Sequence, residues 1–192
     1  MSFAPVFEII SELLFMLYLV WAAYQDRKER LVLRGTHLLG IAAVVLYCVP
    51  VVIRLVAAGC GHTDEVMDGY LYAVFRPTAR SGHDLCRVWI ARMAALLLCF
   101  LCEGVYRRFS LYGLADSLVF LNCSLYYWVR TDAFLMFFLF WWLKAFSGIL
   151  FLAVQIARRR RLKWRLDEPA AYIPCILFAF ALTNIGLKGY NV

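Results

Sequence analysis

Long apolar runs recur along this chain and constrain its fold more than any other feature. Several reach the roughly 20 residues that a helix needs to cross the hydrocarbon core of a bilayer. Of the 192 residues, 64% are hydrophobic, whereas soluble domains average about 45–50% by a similar count. A soluble fold of this size has too little interior to bury that excess. We therefore expect an α-helical integral membrane protein.

The hydropathy pattern predicts six membrane-spanning helices. Their expected ranges are Pro5–Tyr24, His37–Ala58, Val88–Tyr106, Ala115–Val129, Ala133–Ala157 and Ala170–Leu187. No Gly-, Ser- or Pro-rich linker divides them, and no internal repeat is visible. We therefore predict one membrane-embedded domain over residues 1–192, an all-α polytopic helical bundle. The first span lacks the basic start of a signal peptide, so we expect it to remain in the protein.

The basic residues of the connecting segments predict the orientation. The segments after the first, third and fifth spans carry twelve Lys and Arg, against five on the opposite side. Because basic loops stay in the cytoplasm, we expect the first set to be cytoplasmic and both termini to lie outside an inner or plasma membrane. Contact of these residues with anionic lipid headgroups accounts for the net charge of +7. We expect membrane lipids as partners and no nucleic acid.

The longest polar segment, residues 59–87, lies on the predicted outer side, and its role stays open. Cys60 and Cys86 flank it and are candidates for a disulfide, although cysteine pairing does not follow from sequence. His83 and Cys86 are one helical turn apart, but a Cys–His nucleophile also needs a third, orienting group that nothing here supplies convincingly. Five other cysteines fall inside apolar spans, where cysteine behaves as a small hydrophobe. We expect neither a metal site nor a cofactor.

Two ionisable residues near the spans call for a partner or a function, because charge in a membrane is costly. Lys144 lies near the middle of the fifth span, and we expect it to face the bundle interior and pair with Glu12. A polar substrate cavity or an ion path is the alternative. Glu103, near the cytoplasmic end of the third span, is a candidate to border a functional site. The simpler interpretation is an interfacial carboxylate near Arg107.

Two aspartates are the strongest candidates for chemistry. Asp26 closes the first span and Asp116 opens the fourth, and the predicted topology puts both at the cytoplasmic boundary. Two carboxylates at one site do not both ionise easily, so they share a proton. The ionised acid then activates water while the protonated acid donates to a peptide carbonyl, as in an aspartic protease. Taken singly, each has an ordinary explanation: a solvated charge for Asp26 and a helix cap for Asp116.

The residues that flank both aspartates resemble the type IV prepilin peptidase family, membrane aspartyl proteases of the GxGD type. The resembling segments are Gln25–Val32, Gly113–Val119 and Tyr172–Ala179, and the last contains the proline of the family's final span. Two departures stand out. Val32–Arg34 occupies the place of the family's Ile-Pro-Asn, and Ala115 replaces the second motif glycine, which in the family permits a sharp bend and a close backbone approach.

The resemblance implies cleavage of the basic leader from a prepilin-like precursor at the cytoplasmic membrane face. Such a precursor carries an apolar helix after its leader and serves type IV pilus assembly or secretion. The implied catalytic residues are Asp26 and Asp116, and the implied substrate-binding residues are Gly113, Ala115 and Glu103. The family's larger members add a zinc-binding segment and methylate the product, whereas the resemblance here implies the short form without metal.

Two alternatives remain open at this point. The departures from the family pattern motivate a catalytically degenerate membrane scaffold or assembly factor of the same fold. The charge of Lys144 motivates, more weakly, a small transporter.

Overall fold

The computed structural model describes residues 4–29, 31–59, 82–109, 113–131, 133–162 and 171–190. Within these ranges the chain forms six α-helices and no strand, which confirms the predicted all-α class. The helices are α1 (Ala4–Glu29), α2 (Arg34–Gly59), α3 (Gly82–Arg108), α4 (Leu114–Arg130), α5 (Ala133–Leu162) and α6 (Ile173–Tyr190). Each predicted span coincides largely with one helix, because each apolar run is bounded by charged or turn-forming residues.

Two of the helices are long and apolar enough to cross a membrane. These are α1, over Val6–Glu29, and α5, over Ala133–Ala157. The apolar stretches described in α2 and α6 are shorter, at Arg34–Val49 and Ile173–Leu187. Length and composition therefore identify two candidate spans among the described residues.

The shortest helix, α4, lies at the centre of the bundle. It packs against α2, α3, α5 and α6, while α1 packs against α2 and α6. The side chains of α1 nevertheless reach α4 through the core. Phe15 stacks on Tyr126 with ring centroids 4.4 Å apart, and the Asn122 amide donates to the Tyr18 hydroxyl over 2.9 Å. The two helices that carry the predicted catalytic aspartates are thus in contact through their side chains.

A buried polar network aligns α1, α2 and α4 along the bundle axis. The Tyr18 hydroxyl lies 3.2 Å from His37 Nδ1, and Asn122 Nδ2 also donates to the His37 carbonyl oxygen over 3.2 Å. Gly40 makes this close approach of α2 possible. A Cβ atom at that position would lie 2.9 Å from Asn122 Nδ2 and 2.9 Å from Tyr18 Cε1. Because buried polar groups need their partners, the network fixes the positions of the three helices along the bundle axis.

At the C-terminal end of α4, an ion pair contradicts one prediction. Arg130 Nη1 lies 3.7 Å from Glu12 Oε2, and the guanidinium lies over the Tyr47 and Tyr126 rings at 4.7 and 4.3 Å. The predicted pair between Glu12 and Lys144 is therefore wrong. Glu12 is in the first half of α1, beside the C-terminal end of α4, and the hydropathy pattern carries no information on this axial alignment.

Large apolar side chains cover the outward faces of α1, α2, α3, α5 and α6. They remain exposed although the helices are packed together; examples are Leu13, Leu17, Leu38, Val45, Leu97, Leu101, Phe134, Phe138, Ile149 and Ile185. Soluble monomers rarely expose contiguous apolar patches larger than a few hundred Å². Such an exterior is what an environment of lipid tails favours.

The polar segment at residues 59–87 is only partly described. Its last residues belong to α3, which begins at Gly82. Cys60 and the side chains of Cys86 and His83 lie outside the described part of the structure, so the candidate disulfide and the candidate Cys–His pair fall there too.

Candidate active site

Polar side chains gather at the end of the bundle where α1 finishes and where α4 and α6 begin. The cluster contains Asp26, Glu103, Asp116, Lys144 and Tyr172, contributed by five different segments of the chain. Antiparallel neighbours with short connections bring the ends of odd-numbered helices to the starts of even-numbered ones. The cluster therefore follows from the alternating topology, and both predicted catalytic residues belong to it.

Asp26 lies in the last turn of α1 and is half-buried. Its Oδ2 atom accepts a hydrogen bond from the backbone N–H of Ile173 over 3.0 Å. Ile173 is the first residue of α6, and the first N–H groups of a helix have no partner within that helix. A carboxylate at this position also interacts favourably with the helix dipole. Asp26 is therefore held by α6 and is not the solvated charge of the ordinary explanation.

Asp116 is the third residue of α4, and its carboxylate folds back over the start of that helix. Its Oδ2 atom accepts a hydrogen bond from the Gly113 N–H over 3.1 Å. Gly113 is therefore the N-cap residue of α4, and Asp116 caps the helix from its third position and not as the N-cap that the ordinary explanation predicts. In addition, the negative charges of Asp26 and Glu103 both act on the Asp116 carboxyl group. The structure therefore brings the two aspartates into electrostatic range at one end of the bundle.

Gly113 and Ala115 are the two small residues next to this carboxylate. The Gly113 backbone is extended, with φ −71° and ψ 164°, which any residue can adopt. Space is what the glycine supplies, because a Cβ there would lie 3.3 Å from Asp116 Oδ2. Ala115 lies within α4, where φ is negative, and its side chain packs against the core. The alanine that replaces the second motif glycine therefore fits its backbone without strain.

The turn between α1 and α2 is closed by the residue beside Asp26. Gln25 is buried, and its Oε1 atom accepts hydrogen bonds from the Leu33 N–H over 3.2 Å and from the Thr36 hydroxyl over 2.9 Å. The Gln25 side chain thus tethers the turn that leads from α1 to α2. This tether fixes the end of α1 and, with it, the position of Asp26.

Glu103 and Lys144 form a buried ion pair between α3 and α5. The ammonium group of Lys144 also lies over the rings of Tyr106, Phe140 and Phe120, at 4.0, 4.8 and 5.0 Å from their centroids. Glu103 is therefore not the interfacial carboxylate near Arg107 that its sequence position favours. Its charge acts on Asp116, so it does border the aspartates.

Two further residues belong to the site although the sequence analysis gave neither a role. The Tyr172 and Ser147 hydroxyls are 2.9 Å apart, and the charge of Asp116 acts on Tyr172. The Tyr172 ring packs edge-on against Phe151 with centroids 5.0 Å apart. Ser147 is three residues after Lys144 and therefore shares its helix face. That spacing was the one available signal for Ser147, whereas Tyr172 is identified only by its three-dimensional neighbours.

Asp26 and Asp116, contributed by separate helices, thus lie with the Tyr172 hydroxyl at one end of the bundle, next to the small residues Gly113 and Ala115. The described residues include no group of three or more His, Cys, Asp or Glu side chains arranged to hold a metal ion.

No family model, curated protein or solved structure matches this chain. What the cluster does must therefore be inferred from its own geometry and from the residues around the two aspartates.

Proposed function

We propose that this chain is a multi-pass membrane aspartyl endopeptidase, with six spans and both termini outside an inner or plasma membrane. The two long apolar helices and the apolar exteriors of their neighbours support membrane insertion. The excess of Lys and Arg in the segments after the first, third and fifth helices supports a cytoplasmic location for the aspartate end.

The observation that carries the proposal is that Asp26 and Asp116, far apart in the chain, lie at the same end of the bundle, where the charge of Asp26 acts on the Asp116 carboxyl group. Asp26 lies at the end of α1 and Asp116 at the start of α4. A paired arrangement of this kind is what acid–base peptide cleavage needs. The resemblance of the flanking segments to the type IV prepilin peptidase family supports the same chemistry.

Catalysis by the pair begins with one shared proton. The ionised carboxylate takes a proton from a water molecule, whose oxygen attacks the scissile carbonyl carbon. The protonated carboxyl group donates its proton to the carbonyl oxygen, which gives a neutral tetrahedral intermediate. Collapse of this intermediate breaks the C–N bond. The protonated carboxyl group gives its proton to the leaving amine nitrogen, and the ionised carboxylate takes one from a hydroxyl group of the intermediate, so the pair again holds one proton. The pair titrates as one unit, so neither residue is assigned a fixed role as acid or base.

The substrate class follows from the position of the site at the membrane boundary. A precursor with an apolar helix lies alongside the bundle and presents its basic leader on the cytoplasmic side. Gly113 is exposed and Ala115 is small, so an extended peptide can approach Asp116 without displacing bulky side chains. The proposed reaction is removal of the leader from a prepilin-like protein.

Co-expression with a pilin-like precursor tests this proposal. We expect the unaltered chain to remove the leader, and D26N and D116N each to lower the cleavage rate on the order of 10⁴-fold, the scale seen when a catalytic side chain is lost. Immunoblots of membranes measure both cleavage and the amount of each variant. E29Q, which removes an exposed carboxylate from the same turn of α1 as Asp26, serves as the matched control and should cleave normally. Full cleavage by either Asn variant would contradict the catalytic assignment.

A non-catalytic scaffold is the second candidate. It is favoured by the structural hydrogen bonds that both carboxylates make, to Ile173 and to Gly113. Asparagine can still accept these bonds, so a scaffold would keep its function in D26N and D116N. Pilus or secretion assembly that is normal in both variants, together with an uncleaved precursor in the unaltered strain, would favour the scaffold over the protease.

A further inference from the structure

A second charged feature lies directly beside the aspartates. The side chains of Glu103 and Lys144 are only 3% and 9% exposed, and they join α3 to α5 at the level of the site. Burying two charges is costly unless they are paired and further satisfied. The pair lies where its charges can act on the two aspartates.

Lys144 is held in position by aromatic rings as well as by its ion pair with Glu103. Its ammonium lies over three aromatic rings, which attract a cation through their negative faces. One of these rings, Phe120, is four residues after Asp116 and so lies one turn along the same face of α4. The same ring packs against Tyr172 with centroids 6.1 Å apart. The Phe120 ring therefore connects the cation of Lys144 to Asp116 and Tyr172.

Titratable groups from α1, α3, α5 and the segment before α6 lie around Asp116. Asp26 faces it from α1, Glu103 from α3 and Tyr172 from the segment before α6. Lys144 approaches from α5 and contacts Glu103 directly. The thiols of Cys99 and Cys102, on α3, face this ion pair. Asp116 is thus surrounded by two other carboxylates, and Lys144 is the cation paired with one of them.

We propose that Lys144 is a positioning residue for the aspartate pair, because its ammonium offsets part of the negative charge of Glu103 and so lets Asp26 and Asp116 share one proton between themselves. This inference rests on the proposed protease function. A nearby negative charge favours the protonated form of a carboxyl group, and a nearby positive charge favours the ionised form. Without Lys144, Glu103 would add a third acid to the pair and hold it protonated at higher pH.

Opposite shifts of the pH–activity profile follow from this arrangement. K144M leaves Glu103 without its cation, so the profile for leader cleavage should move about one pH unit upward. E103Q leaves the ammonium among its aromatic rings without that carboxylate, so the profile should move downward by a similar amount. The double variant E103Q/K144M removes both charges and should return close to the original profile. K144R keeps the cation and should also retain it.

The experiment measures initial rates of precursor cleavage against pH, with each full-length variant reconstituted into vesicles. E12Q removes the carboxylate of the ion pair at the opposite end of the bundle, so it controls for the loss of an ion pair as such. Its profile should not move. Opposite shifts in the two single variants and their cancellation in the double variant support the inference.

A purely structural pair would give a different result. The variants would then accumulate less, but the cleaving fraction would keep the original profile, which would overturn the inference. Should K144M fail to accumulate, E103Q decides alone: a downward shift supports the positioning role and an unmoved profile refutes it. An unaltered chain that cleaves at no pH overturns the proposed protease itself, so the two failures are distinguishable.

Discussion

At the scale of single residues, the side chain at position 113 decides how much room the Asp116 carboxylate has. Gly113 leaves room for the Oδ2 atom that its own N–H contacts, whereas Ala115 is an ordinary helical residue. The residues that flank Asp26 and Asp116 predicted a shared site, and the structure places both aspartates at the same end of the bundle. The need for glycine at position 115 could not be predicted, since a sequence motif records which residue is usual and not which backbone geometry it needs.

Exchanging the two small residues separates these roles. In G113A, the added Cβ should push the Asp116 carboxylate by a few tenths of an ångström and lower leader cleavage by about 10-fold to 100-fold, since small displacements are costly in catalysis. In A115G, cleavage should not rise, and the free energy of unfolding should fall by up to about 1 kcal/mol because glycine is a poor helix former. Cleavage rates and thermal unfolding in detergent measure both effects. A marked gain of cleavage in A115G would show that the alanine impairs the site.

At the scale of helices, the hydropathy pattern was sufficient to predict six helices but not to predict how they pack. Apolar runs and their charged boundaries defined the helices to within a few residues in most cases. They gave no sign that α4 is central or that Lys144 meets Glu103 and not Glu12. Partners inside a bundle depend on the axial alignment of helices, which here is fixed by Gly40 and by the network of Tyr18, His37 and Asn122.

A substitution at Gly40 tests whether this alignment stabilises the bundle. In G40A, the new methyl group would meet Asn122 and Tyr18 at 2.9 Å, so α2 must move away and the polar network must weaken. We expect a loss of about 1–3 kcal/mol, the usual cost of overpacking. G35A is the matched control on the same helix, because nothing lies within 4 Å of the added atom. Thermal unfolding of the two variants should differ clearly, and equal stability would contradict the close approach.

For the whole molecule, the two ends of the bundle have different characters. The Arg130 and Glu12 pair, with its aromatic neighbours, lies at one end, and the aspartates with the Glu103–Lys144 pair lie towards the other. The apolar exterior between them suits lipid. The proposed cytoplasmic location of the site and the proposed substrate both depend on which end carries the aspartates. A leader peptide reaches these acids only from the side of the membrane on which they lie.

Thiol cross-linking in membranes tests most directly whether Asp26 and Asp116 share one site. In a chain whose seven native cysteines are replaced, D26C/D116C should be joined by a short bifunctional thiol reagent. S147C/Y172C, whose native hydroxyls are 2.9 Å apart, provides the positive control, and E12C/D116C, which spans the two ends, the negative one. We predict a cross-link in the first two pairs and none in the third. A cross-linked S147C/Y172C pair beside an unlinked D26C/D116C pair would contradict a shared aspartate site.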